Sequence, residues 1–192
     1  MQQTGLKAQL CDLARASCWF YPALMAVRAL NLDSWCIGAG AIRTLVWDSL
    51  HERSVPSELP DLDVAYFDTS DLSATQDVTM QRRLSEMLPG MPWEVTNQAA
   101  VHTWFESVFG YSVAPVVSLD NAVSTWPEYA TAVGLTLDSN DRIDVIAPYG
   151  LDDLFSMTVR WNPARVSREI YAKRLVEKDY LTRWPKVTIV PP

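Results

Sequence analysis

Apolar residues recur along this chain with two periods, and the alternation between them outlines the fold. Leu6, Leu10, Leu13 and Ala14 follow helical spacing, and Pro22 opens a second short helix carrying Val27 and Leu30. Trp35-Cys36-Ile37 reads as a strand that runs into Gly38-Ala39-Gly40. From Ala41 to Leu50 the stripe Ile42, Leu45, Val46 and Leu50 predicts a helix starting at the glycines. After a proline-marked loop, Ser54 to Pro60, the period drops to two: Leu62, Val64 and Tyr66 alternate with Asp61, Asp63, Ala65 and Phe67, as in a strand. A helix from Gln76 to Leu88, capped by Asp71, ends at Pro89-Gly90-Met91-Pro92. A strand at Trp93 to Thr96 and a helix from Ala99 to Phe109 follow. Thr131 to Leu137 and Arg142 to Ala147 flank Asp138-Ser139-Asn140-Asp141 as a hairpin, and a last helix spans Ser167 to Leu181. The expected fold is α/β (α+β): one domain over residues 1–192, with a small mixed sheet covered by helices.

Composition adds charge to this outline. The net charge of -7 argues against a protein that lives on a nucleic-acid backbone, because such binding draws on Lys and Arg. The charge is segregated: residues 1–159 hold 8 Lys+Arg against 20 Asp+Glu, and residues 160–192 hold 8 against 3. The basic segment either docks on the acidic body or supplies phosphate ligands. Three cysteines without C-x-x-C spacing suggest neither disulfide framework nor zinc site, and the absence of a long apolar run leads us to expect a cytoplasmic protein with no membrane contact.

Two clusters carry chemical potential. At Gly38-Ala39-Gly40-Ala41-Ile42-Arg43, small residues at a strand-to-helix junction let backbone N–H groups and the helix dipole approach a phosphate; the same pattern serves as a plain tight turn, or as a dinucleotide fingerprint lacking its third glycine. In Asp61-Leu62-Asp63, period two points both carboxylates to one side while Leu62 and Val64 enter the core. Such a pair is either a solvated strand edge or a site for a divalent cation, and Mg²⁺ suits one or two carboxylates plus substrate phosphates.

The combination of a glycine turn, a helix of about three turns, a loop and D-x-D on the next strand resembles the polymerase β type nucleotidyltransferases. Ala39-Gly40-Ala41-Ile42-Arg43-Thr44 is similar to the G-G-x-V-R-D element of tRNA CCA-adding enzymes, with Ala39 in place of the first glycine and Thr44 in place of the aspartate. A bacterial family of small nucleotidyltransferase-like proteins is closer, sharing Gly40-Ala41-Ile42-Arg43, Val46-Trp47-Asp48 and Asp61-Leu62-Asp63-Val64-Ala65-Tyr66-Phe67-Asp68. It also shares Trp93-Glu94-Val95, Asn97-Gln98-Ala99 with His102, Ala147-Pro148-Tyr149-Gly150-Leu151 and Arg160 with Asn162-Pro163; basic residues are usual there at the positions of Thr96 and Ala100.

The resemblance implies transfer of a nucleoside monophosphate from a nucleoside triphosphate (NTP) to a small-molecule or protein acceptor, long nucleic acids being disfavoured by charge. It implies Mg²⁺ or Mn²⁺ on Asp61 and Asp63, completed by a third carboxylate on a later strand, for which Glu94 and Asp144 compete. Gly38, Gly40 and Arg43 would then attend the phosphates. Arg174 and Lys178 share a helix face with Tyr171 and are candidates to contact the triphosphate or acceptor, with Arg160 nearby in sequence. His51 and His102 fall on amphipathic helices, where filling a boundary position competes with a site role. A non-catalytic nucleotide-binding or partner-binding module is the alternative.

Overall fold

In a computed structural model, which describes residues 2–192, the expected elements form with three additions. Helices α1 (Gln2–Ala16) and α2 (Phe20–Arg28) precede β1 (Trp35–Gly38) and α3 (Gly40–Leu50). Then come β2 (Leu62–Tyr66), α4 (Ala74–Met87), β3 (Trp93–Asn97) and α5 (Val101–Phe109). The short α6 (Leu119–Val123) leads to the hairpin β4 (Gly134–Leu137) and β5 (Ile143–Ile146). The chain closes with α7 (Asp152–Phe155), β6 (Thr158–Val159), α8 (Arg168–Lys178), α9 (Tyr180–Arg183) and β7 (Thr188–Ile189). The additions are α6, α7 and the β6–β7 pair, all too short to show a period in sequence.

The five-stranded sheet runs β3-β2-β1-β4-β5, parallel only between β2 and β3, which α4 connects. One face is apolar. Leu62, Val64 and Tyr66 lie beside Trp93 and Val95 on one side and Ile37 and Leu135 on the other, buried with Leu10, Leu24, Val27 and Leu84 from the helices. The opposite face is built of small residues: Ala65 pairs with Cys36, and Gly38 with Gly134. There α6 covers Cys36 and Ala65 with Leu119 and Val123, leaving the Asp63 end of the sheet open. Cys11, Cys18 and Cys36 are all free thiols.

The C-terminal helix differs from its expected Ser167 to Leu181 span. Ser167 caps it, its hydroxyl accepting from the Ile170 N–H at 3.3 Å, but Asp179 adopts a left-handed φ of 43° and separates α8 from α9. The break turns Tyr180 inward, where it is buried. Trp184 donates from Nε1 to Asp48 Oδ1 at 2.8 Å, and the Asp48 carboxylate also accepts from the Ser57 N–H and hydroxyl. Asp48 therefore ties α3, the proline loop and the C-terminal segment into one block, giving a buried carboxylate three donors.

Candidate active site

Strand register fixes the carboxylates. Asp63 on β2 stands beside Glu94 on β3, so the two share the small-residue face, one strand apart. Asp61 sits two residues earlier on the same side, at the entry to β2. Asp144 lies on β5, three strands from β2, half exposed and 3.5 Å from Arg142. At about 4.8 Å per strand it is some 14 Å away, so of the two candidates Glu94 alone neighbours Asp63.

Asp63 and Glu94 wall a cleft of about 200 Å³ together with Ala39, Thr96, Trp126 and Arg174. Burial, then Asp61 and Glu94, push the Asp63 carboxyl up to about 7, with Lys178 and Arg174 offsetting only part of the rise. Among the described residues no set of three or more His, Cys, Asp or Glu side chains forms a ready-made metal cage. Mg²⁺ does not require one. An all-oxygen donor set of two carboxylates, holding negative charge that the protein leaves partly uncompensated, fits an ion that fills its shell with water and phosphate oxygens.

The glycine turn is asymmetric. A Cβ on Gly38 would fall 2.3 Å from the Trp126 ring, so Gly38 serves the close approach of that indole, and the Ala39 N–H is taken by the Val133 carbonyl at 3.1 Å. The open side that sequence reasoning reserves for a phosphate is thus occupied at Gly38. Gly40 keeps its position: a Cβ there would lie 3.6 Å from both Asp61 Oδ1 and Arg43 Nη2, which places the helix N-terminus beside the first aspartate. Ala39 itself has φ 51° and ψ -118°, a conformation inexpensive for glycine and strained for alanine.

Arg43 is not a free phosphate ligand. It is 2% exposed, with its guanidinium within 5.0–5.7 Å of the ring centroids of Trp47, Tyr180 and Trp184, and Nη1 donates to the Tyr180 hydroxyl at 3.3 Å. Tyr180 in turn donates to Glu128 Oε1 at 2.7 Å, and the same oxygen accepts from Arg174 Nε at 2.8 Å. Burial raises the Glu128 carboxyl, but Arg174, Arg43 and the Tyr180 bond outweigh it and hold it below the usual range. Lys178 Nζ stands 3.7 Å from Asp61 Oδ2. The i, i+3, i+7 face of α8 therefore divides its work: Tyr171 is buried, Arg174 lines the cleft and Lys178 meets the aspartate pair.

Other candidates fall outside. Arg160 is engaged by Asp153 at 3.0 Å. His51 bridges backbone groups, Nδ1 lying 2.7 Å from the Trp47 carbonyl while Nε2 accepts from the Lys186 N–H at 3.1 Å, which requires Nδ1 to carry the proton. His102 lines none of the cleft, and its Nδ1 is buried without a partner. Glu128, Tyr180 and Trp126 join the site without a signal in the sequence pattern. Glu128 sits in no motif, and the partners that make it informative are 46 and 52 residues away.

The nucleotidyltransferase family model matches residues 25–189. A solved structure described as revealing a CCA-adding enzyme head domain is 28% identical, covers 96% of each chain and superposes with a TM-score of 0.81. Two tRNA-processing enzymes, one in a complex and one in an apo form, match at 13% identity with TM-scores of 0.51 and 0.50 and share the fold. The present chain spans 43% and 44% of their lengths and is itself covered to 88% and 97%. No curated protein matches it.

Proposed function

Because the chain belongs to this nucleotidyltransferase family, we propose that it transfers a nucleoside monophosphate from an NTP to a hydroxyl or similar acceptor, with Asp61, Asp63 and Glu94 as its catalytic carboxylates. The observation that carries the reading is the Asp63–Glu94 register beside Asp61, at the open end of the sheet and facing Arg174 and Lys178. Asp61 and Asp63 would hold Mg²⁺ or Mn²⁺, with Glu94 able to complete a second site. When bound, the ion would neutralise charge on the triphosphate and lower the pKa of the attacking oxygen.

The protein's own groups divide the remaining tasks. The α3 N-terminus at Gly40 offers its first-turn N–H groups to phosphate, Arg174 and Lys178 offer charge, and the small side chains of Ala39 and Thr96 in the cleft wall leave the triphosphate room beside Asp63. Arg43 acts from within, as buried charge behind the aspartates. A small-molecule or protein acceptor accords with the net charge of -7; a cytoplasmic location belongs to the same reading, and no described helix is long and apolar enough to cross a membrane. The likeness to a CCA-adding enzyme head domain favours a second reading, an RNA 3′ end met by the basic residues after 160. Incubation with each labelled NTP, Mg²⁺ or Mn²⁺ and cell extract, with and without ribonuclease, tests both: a ribonuclease-resistant labelled product supports the first, a sensitive one the second. Nucleotide binding without any product would select a non-catalytic module.

A further inference from the structure

We propose that Glu128 is a positioning residue that presents Arg174 to the phosphates of the nucleotide. The proposal rests on the nucleotide reading above and deepens it. Glu128 is fully buried, and its two oxygens are unequally loaded: Oε1 accepts from Arg174 Nε at 2.8 Å and from Tyr180 at 2.7 Å, whereas Oε2 accepts from Thr131 Oγ1 at 3.2 Å. Glu128 meets neither aspartate and lines none of the cleft, so it acts through what it holds.

What it holds is one edge of a guanidinium. Bonding at Nε fixes the plane of Arg174, while its two terminal nitrogens make no hydrogen bond among the described residues and the side chain lines the cleft that Asp63 and Glu94 wall. A planar fork anchored at Nε with both terminal nitrogens free matches two oxygens of a phosphate. Alone, an arginine opposite Asp63 would swing onto that carboxylate and cancel the charge intended for a cation. Glu128 prevents this by binding Arg174 from behind, and Tyr180, held by Arg43 at 3.3 Å, keeps Glu128 in place. The break at Asp179 now has a purpose, since an unbroken helix would not deliver Tyr180 to this oxygen.

The test compares wild type with Glu128→Gln, Arg174→Gln, the double variant and Tyr180→Phe, each titrated calorimetrically with the Mg²⁺ complexes of ATP, CTP, GTP and UTP, and with the monophosphate of the tightest. We expect Glu128→Gln and Arg174→Gln each to weaken triphosphate binding about tenfold, to leave the monophosphate within twofold, and to combine without further loss, because one acts through the other. Tyr180→Phe should show the same selectivity at about threefold, and it serves as the informative variant if Glu128→Gln does not fold. Multiplying losses in the double variant, or a Tyr180→Phe variant that keeps wild-type triphosphate affinity, would overturn the proposal. Wild type that binds all four triphosphates no better than monophosphates would overturn the nucleotide reading and this proposal with it; normal wild-type binding with an unaffected Glu128→Gln overturns this proposal alone.

Discussion

Replacing Asp63 by Asn should stabilise the metal-free protein above pH 7 while removing the function for which the carboxylate is kept. In the folded chain this carboxyl is raised from 3.8 to about 7, first by burial and then by Asp61 and Glu94. Between those two values the folded state binds more protons than the unfolded one, so stability falls as pH rises through the window and stays low above it. A difference of about three units corresponds to about 4 kcal/mol at most, and allowing for relaxation and water entry about 2 kcal/mol is a working figure. For a chain of this length that is a Tm gain of roughly 4 to 8 °C for Asp63→Asn at pH 8. Differential scanning calorimetry in chelator-treated buffer at pH 8, 6 and 4 reads the effect, and the gap between variant and parent should close on acidification. Millimolar Mg²⁺ should raise the parent's Tm but not the variant's. A variant less stable than its parent at pH 8, or a gap independent of pH, would refute the picture of Asp63 as a buried and uncompensated carboxylate.

Other expectations concern the surrounding frame. Gly38→Ala should destabilise by about 1–3 kcal/mol through its clash with Trp126, and Gly38→Ala combined with Trp126→Ala should recover part of that loss in urea titration. Ala39→Gly should raise stability by about 1 kcal/mol, since it relieves a positive φ at the head of α3; an unchanged or lower urea midpoint would count against strain there. Arg43→Gln should cost about 3 kcal/mol or more, as it strips one of two cations from buried Glu128 and empties an aromatic cage, whereas an exposed phosphate ligand would leave stability within about 0.5 kcal/mol. Thiol titration of denatured, non-reduced protein should find three free groups.

The parts legible in sequence were those governed by local period. The alternation of Leu62, Val64 and Tyr66 locates β2, and the same alternation places Asp61 and Asp63 together. The placement of Glu94 beside Asp63 and of Asp144 at the far side of the sheet depends on strand order, which no local pattern encodes; both residues look alike between apolar neighbours. Arg43 illustrates the other gap. Its position in a family-like element suggests a phosphate ligand, yet Trp47, Tyr180 and Trp184 close around it, and two of the three come from a segment 137 and 141 residues further on. The β6–β7 pair is only two residues long on each side and rests on tertiary support alone.

If Asp61, Asp63 and Glu94 form a metal-dependent nucleotidyl-transfer centre, pyrophosphate release depends on all three. Purified protein is incubated with each NTP and Mg²⁺ or Mn²⁺ in the presence of fractionated cell extract, alongside Asp61→Asn, Asp63→Asn and Glu94→Gln. Release should require the divalent ion and one extract fraction, and should fall by about a hundredfold or more in all three variants while their folds persist. Release that survives Asp63→Asn, or falls equally when Asp144 is replaced, would contradict it.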